Sequence, residues 1–272
     1  MAKPNHIELP TGERIPILYE DRSVLAIDKP AGWMLVPFSW QKTGRNLQAA
    51  LTSSIAARDF WARSRSLKYL RFVHRLDAET SGILLLAKSP GAVNTFGAMF
   101  ESRKMEKVYL AVVGGVPRQS EWTCRLKLAV DPCAVGRMKV DERHGKEAET
   151  HFRLLQNHER TTLVEARPVT GRTHQIRVHL AECGHAVVGD RLYGPRERTD
   201  RGKSESLPMH PGNIQQPTSN AQHPMTPQRA ATGLGLRAVG LSYTDPFTRR
   251  QVDVRAPLAE FVREHGFDIP KL

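Results

Sequence analysis

The chain has 272 residues, 40% hydrophobic and 25% charged, a usage that excludes collagen-like, coiled-coil and wholly disordered proteins. Forty Lys and Arg against 28 Asp and Glu leave a net charge of +12, which argues for a polyanionic partner, nucleic acid first. Cys124, Cys133 and Cys183 are too few for a disulfide framework or a C-x-x-C zinc site, and neither residues 1–10 nor the apolar run 83–87 suits a signal peptide or a membrane span, so a cytoplasmic protein without membrane contact is expected.

Residues 1–14 read as an N-terminal tail, with a single domain over 15–272. The run 24–28, Val-Leu-Ala-Ile-Asp, predicts a buried strand ended by the turn formers Pro30 and Gly32. Leu47, Leu51 and Ile55 recur at helical spacing and predict a helix over 46–57. Strands at 70–73 and 82–88 flank a polar loop, 74–81. Ser89 and Pro90 suit the N-cap and first position of a helix ending near Arg103, with Val93, Phe96 and Phe100 on one face. The β-branched run 107–113 predicts a strand that closes on Gly114 and Gly115. Residues 148–154 alternate with period two, and 161–166 pairs with them antiparallel through a turn at 157–159.

Thr173 then reads as the N-cap of a short helix with Ile176, Leu180 and Cys183 on its apolar stripe, Arg177 and His179 off it, and Gly184 as a left-handed terminator. The proline-rich stretch 195–230 has few large apolar side chains to offset its ordering entropy and reads as a disordered insertion. Strands at 236–241 and 251–256 and a helix at 258–264 complete an α+β domain with a largely antiparallel sheet.

Three features can carry chemistry. In loop 74–81 a lone carboxylate, Asp77, sits between Arg75 and a Thr80-Ser81-Gly82 turn. Held there by backbone and hydroxyl donors it would stay ionised and serve as nucleophile or base, although an Asx-turn needs the same residue. Residues 171–180 gather Arg172, His174, Gln175, Arg177 and His179 at a helix start, a pattern that binds RNA phosphate or simply faces water. The two histidines do not stack on one helix face as a zinc pair would, so no metal is expected. Tyr109, in an aliphatic strand, is either a core aromatic or a platform for a nucleobase.

The run His-Arg-Leu-Asp-Ala-Glu-Thr-Ser-Gly-Ile-Leu-Leu-Leu-Ala-Lys, residues 74–88, closely resembles the active-site signature of RluA-type pseudouridine synthases. Blocks at 24–32, 107–114 and 170–180, the last running on through 189–194, stand in the order of that family. The resemblance spans about residues 15–194 and resumes at 236–257. It implies the pseudouridine synthase catalytic fold, a mixed, mainly antiparallel sheet with flanking helices around a central cleft. By the same resemblance, Asp77 would attack the target uridine, Tyr109 would stack on the uracil and help remove the proton at carbon 5, and Arg177 would pair with Asp77. Arg75 would fill the gap left by the flipped base, with His74, Thr80, Arg172, His174 and Gln175 contacting RNA. An enzyme that detaches and rotates a base must extrude its nucleotide from the stack.

The expected partner is structured RNA, ribosomal or transfer, and the expected state a monomer. No cofactor is expected, because the isomerisation moves no electrons to a carrier. The family-like blocks begin by residue 24, so the resemblance is to members without a small N-terminal RNA-binding module. Arg237 stands where the family usually has a histidine. The competing reading is a non-catalytic RNA-binding or folding factor on the same fold, which would have no need of Asp77, Tyr109 and Arg177 together. A metal-dependent nuclease or deaminase lacks the ligand spacing.

Overall fold

The structure is a computed structural model that describes residues 2–35, 45–194 and 233–271. Its elements in chain order are β1 (His6–Glu8), β2 (Arg14–Glu20), β3 (Val24–Lys29), α1 (Leu47–Ala56), α2 (Phe60–Arg63), β4 (Arg71–Phe72), β5 (Ser81–Ala87), α3 (Pro90–Glu101), β6 (Glu106–Gly114), β7 (Glu121–Cys124), β8 (Leu128–Val130), β9 (Met138–Val140), β10 (Thr150–His158), β11 (Thr161–Pro168), α4 (Gln175–Glu182), β12 (Leu236–Thr244), β13 (Gln251–Arg255) and α5 (Ala259–Glu264).

One sheet of 11 strands runs β1-β2-β3-β5-β12-β6-β11-β10-β7, with β13 beside β12 and β4 beside β5, while β8 and β9 form a separate hairpin. Among the described strands only β5 and β12 pair in parallel, apart from an isolated parallel bridge between Met34 and Asn46; the other strand pairings are antiparallel, as the sequence predicts for an α+β fold. The unbroken apolar run of β5 follows from its central place: Ile83 to Ala87 are all buried between β3 and β12. Gly82 lies at φ +108°, and a Cβ there would collide with the Ala238 carbonyl of β12, so the close approach of the parallel strand requires glycine. Asn46 and Ser89 cap α1 and α3 through their side chains, accepting from the Ala49 and Ala92 amides.

Several expectations need correction. The first 14 residues are not a free tail: β1 pairs with β2, and Ile7 and Leu9 are buried in the main core. Strands β7, β8 and β9 and helix α2 are too short for a periodicity to show. The strand at 70–73 narrows to β4, while β10 extends to His158, with the reversal made by Glu159 in a left-handed conformation, φ 51°. Thr173 is not the N-cap of α4. That position belongs to His174, left-handed at φ 53° and making no side-chain cap; the Gln175 side chain turns back to accept the Arg172 amide.

Helix α4 is covered by β10, β11 and β9, so Gln175 to Leu180 are all buried. Arg177 and His179, expected off the apolar face, are therefore inside and need partners. His179 finds Thr150 Oγ1 at 3.0 Å and the Leu126 carbonyl at 3.3 Å. The insertion expected at 195–230 lies outside the described residues.

Candidate active site

The loop between β4 and β5 is held from beneath by a buried lysine. Lys29, at the end of β3, donates from Nζ to the carbonyls of Pro30, Ala78 and Thr80 at 3.0, 2.9 and 2.8 Å. Burial pushes its pKa down to about 8, against the opposing charges of Asp77 and Glu79. The loop's turn is closed by backbone, Thr80 N–H to the Asp77 carbonyl, so the Asp77 carboxylate is not spent on an Asx-turn.

That carboxylate lines a cavity of about 360 Å³ with Arg75, Lys107, Tyr109, Arg172, His174 and Arg177. Arg177 meets it from α4, with Nη1 3.3 Å from Asp77 Oδ2. The rest of the guanidinium is bound to Asp190, Nε to Oδ2 at 2.7 Å and Nη2 to Oδ1 at 2.8 Å, a two-pronged buried pair. Burial disfavours both charges, yet Asp190 and Asp77 hold the Arg177 pKa above its ordinary value. Arg177 and the amides of Leu192 and Tyr193 hold Asp190 below its own.

Tyr109, on β6, stands in register with Ala166 of β11 and Ala238 of β12, and these small neighbours leave its ring open to the cavity. Burial, and after it the negative charge of Asp77, raises its pKa, so the phenol is the resident form. Lys107, two residues earlier, reaches the Thr170 carbonyl at 3.1 Å, and burial with the nearby charge of Arg103 brings its pKa down to about 8.

The structure thus brings Asp77, Tyr109 and Arg177 together around one cavity, with Arg75 exposed at its rim. The residues named as RNA contacts divide. His174 faces Asp77, Nε2 to Oδ1 3.9 Å, and Arg172 lines the cavity while its Nε donates to the Glu147 carbonyl. His74 lines the cavity, while its Nε2 accepts the Leu85 amide at 3.0 Å and its ring stacks on Phe100 with centroids 4.5 Å apart. Gln175 is 4% exposed and bonded to Thr170, Thr150, the Arg172 amide and the Glu149 carbonyl, leaving nothing to offer RNA. Thr80 is buried, its hydroxyl unpartnered. Arg237 is a strut, bonding Asp28 at 2.6 Å and the Pro257 carbonyl.

Sequence reasoning missed Lys29, Lys107, Asp190 and Tyr193 as site residues. Asp190 and Tyr193 lie in the quoted block 189–194, yet their link to Arg177 and His174 crosses the fold and leaves no mark in local spacing.

The sequence pattern of the family described as RNA pseudouridylate synthase matches residues 23–182, more than half of the chain. The chain is similar to the dual-specificity RNA pseudouridine synthase RluA of Vibrio cholerae, 34% identical over 203 residues, 74% of this chain and 76% of that protein. It is also similar to the ribosomal large subunit pseudouridine synthase C of Escherichia coli, 33% identical over 253 residues, 90% of this chain and 66% of that protein. Among solved structures, human RNA pseudouridylate synthase domain containing 1 superposes with a TM-score of 0.62 at 25% identity, covering 89% of this chain and 83% of the human one. With the family's signature loop at the floor of the cavity and relatives of this identity over most of its length, the chain belongs to the RNA pseudouridylate synthase family.

Proposed function

We propose that this pseudouridine synthase isomerises a uridine of large-subunit ribosomal RNA, with Asp77 as the carboxylate that acts on the flipped-out nucleotide. The observation that carries the assignment is the Asp77 and Arg177 pair at the wall of a basic cavity: Arg177 is buried and locked to Asp190, so its remaining nitrogen is a fixed cation beside Asp77. The carboxylate is the form that can act as nucleophile or base.

In the isomerisation the bond from N1 of uracil to the ribose C1′ breaks, a bond from C5 to C1′ forms, the C5 proton leaves and N1 gains one. Atoms and electrons balance without a carrier. Tyr109 supplies the face on which the detached base stacks and turns, worth about 1–3 kcal/mol per base in such contacts. As a phenol it is a hydrogen-bond donor, so the removal of the C5 proton is not its task alone. Arg75, exposed at the rim, enters the stack where the uridine left it. Arg103 and Arg172, which line the cavity, give phosphate its counter-charge.

Support for the substrate class comes from the relatives named ribosomal large subunit pseudouridine synthase C. The test is tritium release from RNA labelled at C5 of uracil, offered as large-subunit rRNA or as tRNA, both made without modification. Release from the ribosomal RNA supports the proposal. Release from tRNA alone moves the substrate, and release from neither removes it.

A further inference from the structure

We propose that His174 is a positioning residue for Asp77, locked by Tyr193 as the neutral tautomer that carries its proton on Nε2. The inference rests on the reading of Asp77 as the reacting carboxylate.

Proton accounting fixes the tautomer. The Tyr193 hydroxyl accepts the Met138 amide at 2.8 Å and lies 2.8 Å from Nδ1 of His174. Tyr193 is 8% exposed, so its one hydroxyl proton needs an acceptor, and Nδ1 is the acceptor in reach. With Nδ1 accepting, the ring proton sits on Nε2, the nitrogen 3.9 Å from Asp77 Oδ1. Arg177 approaches the other oxygen, Oδ2, so the two carboxylate oxygens meet different partners: a cation on one side, a neutral N–H on the other.

The chain conformation serves the same end. His174 occupies the left-handed region at φ 53°, where a side chain other than glycine is disfavoured. Its ring packs against Tyr193, edge to face at 5.6 Å. Tyr193 in turn lies under the Arg177 guanidinium, 5.3 Å from its ring centre, and its amide is bound to Asp190. The residues that orient Arg177 therefore also orient His174.

The charged groups around the imidazole are Asp77, Glu79 and Asp190 on one side of the balance and Arg177 on the other. Burial, the largest influence, together with Arg177 outweighs the carboxylates and keeps the ring below its ordinary pKa. A neutral donor orients the carboxylate without neutralising it as a second cation would.

Nitrogen-15 NMR of the full chain with labelled histidine, assigned by the signal lost in His174→Gln, reads the tautomer at pH 7. An unprotonated Nδ1 and protonated Nε2 are expected, with tautomers mixing in Tyr193→Phe. On substrate RNA, Tyr193→Phe and His174→Ala should lower kcat roughly 10-fold at unchanged KM, the size of a lost polar contact longer than a hydrogen bond. His174→Gln, which restores an N–H near the Nε2 position, should recover most of that loss. A doubly protonated ring, a proton on Nδ1, or equal defects in the Ala and Gln variants would overturn the proposal. The NMR result stands whether or not the RNA assignment does, so the two can fail separately.

Discussion

Arg177 meets three carboxylates unequally: Asp190 takes two of its nitrogens at 2.7 and 2.8 Å, Asp77 one at 3.3 Å, and Glu79 lies 3.8 Å from that same nitrogen. The short pair fixes the guanidinium. The longer contact keeps a fixed cation beside one oxygen of Asp77.

Arg177→Lys should lose this division of labour, because an ammonium cannot hold Asp190 with two parallel bonds and also face Asp77. Tritium release should fall by more than about tenfold. Arg177→Met should also destabilise the fold by about 3–5 kcal/mol, since it strands the fully buried Asp190. Urea denaturation measures the second effect; a stability equal to wild type would contradict the buried pair.

Lys29→Met should weaken the floor of the site. The substitution keeps an unbranched chain but leaves the Pro30 and Thr80 carbonyls without the Lys29 donor and the Ala78 carbonyl with the Gly32 amide alone. A loss on the order of 3 kcal/mol is expected, with a lower kcat in whatever fraction folds. An unchanged urea midpoint and kcat would show that the loop holds itself.

His74 predicts an acid-side loss of stability. Burial, with the charge of Lys107, pushes its folded pKa down to about 3, against about 6.5 when unfolded. Between these values the unfolded chain takes up a proton that the folded chain refuses, so stability is full above pH 6.5 and falls as pH drops towards 3. In His74→Gln, whose amide oxygen can still accept the Leu85 N–H, the fall should be shallower over that window. Parallel pH curves for the two proteins would contradict the assignment.

Arg75→Ala should do the opposite of the buried variants. Its side chain is exposed at the cavity rim, so stability should change by less than about 0.5 kcal/mol. Turnover should fall because nothing then fills the stack behind an extruded uridine. Differential scanning calorimetry beside single-turnover assays separates the two readouts.

The fold was legible where burial imposes a period or a cap imposes a residue. β5 showed as an apolar run, β10 as an alternation, α1 by the spacing of Leu47, Leu51 and Ile55, and α3 by its Ser89 cap. The edge of the sheet was not, because β1 and β7 are three or four residues long and owe their form to a neighbour. At the site, Asp77, Tyr109 and Arg177 were reached through the resemblance of their surroundings, and each lines the cavity. Gln175 and His74 line the cavity and are also bonded to the backbone, and polar side chains beside a reactive group look the same in sequence whether they face RNA or hold the backbone. Asp190 and Tyr193 escaped because their roles are set by contacts across the fold.

The central claim is that an ionised Asp77 does the chemistry in this cavity. Asp77→Asn keeps the shape and removes the charge. The direct measurement compares this variant with wild type for tritium release from RNA labelled at C5 of uracil, alongside binding of the same RNA. Release should vanish while affinity stays within a few-fold of wild type. Release by the variant at the wild-type rate would contradict the account.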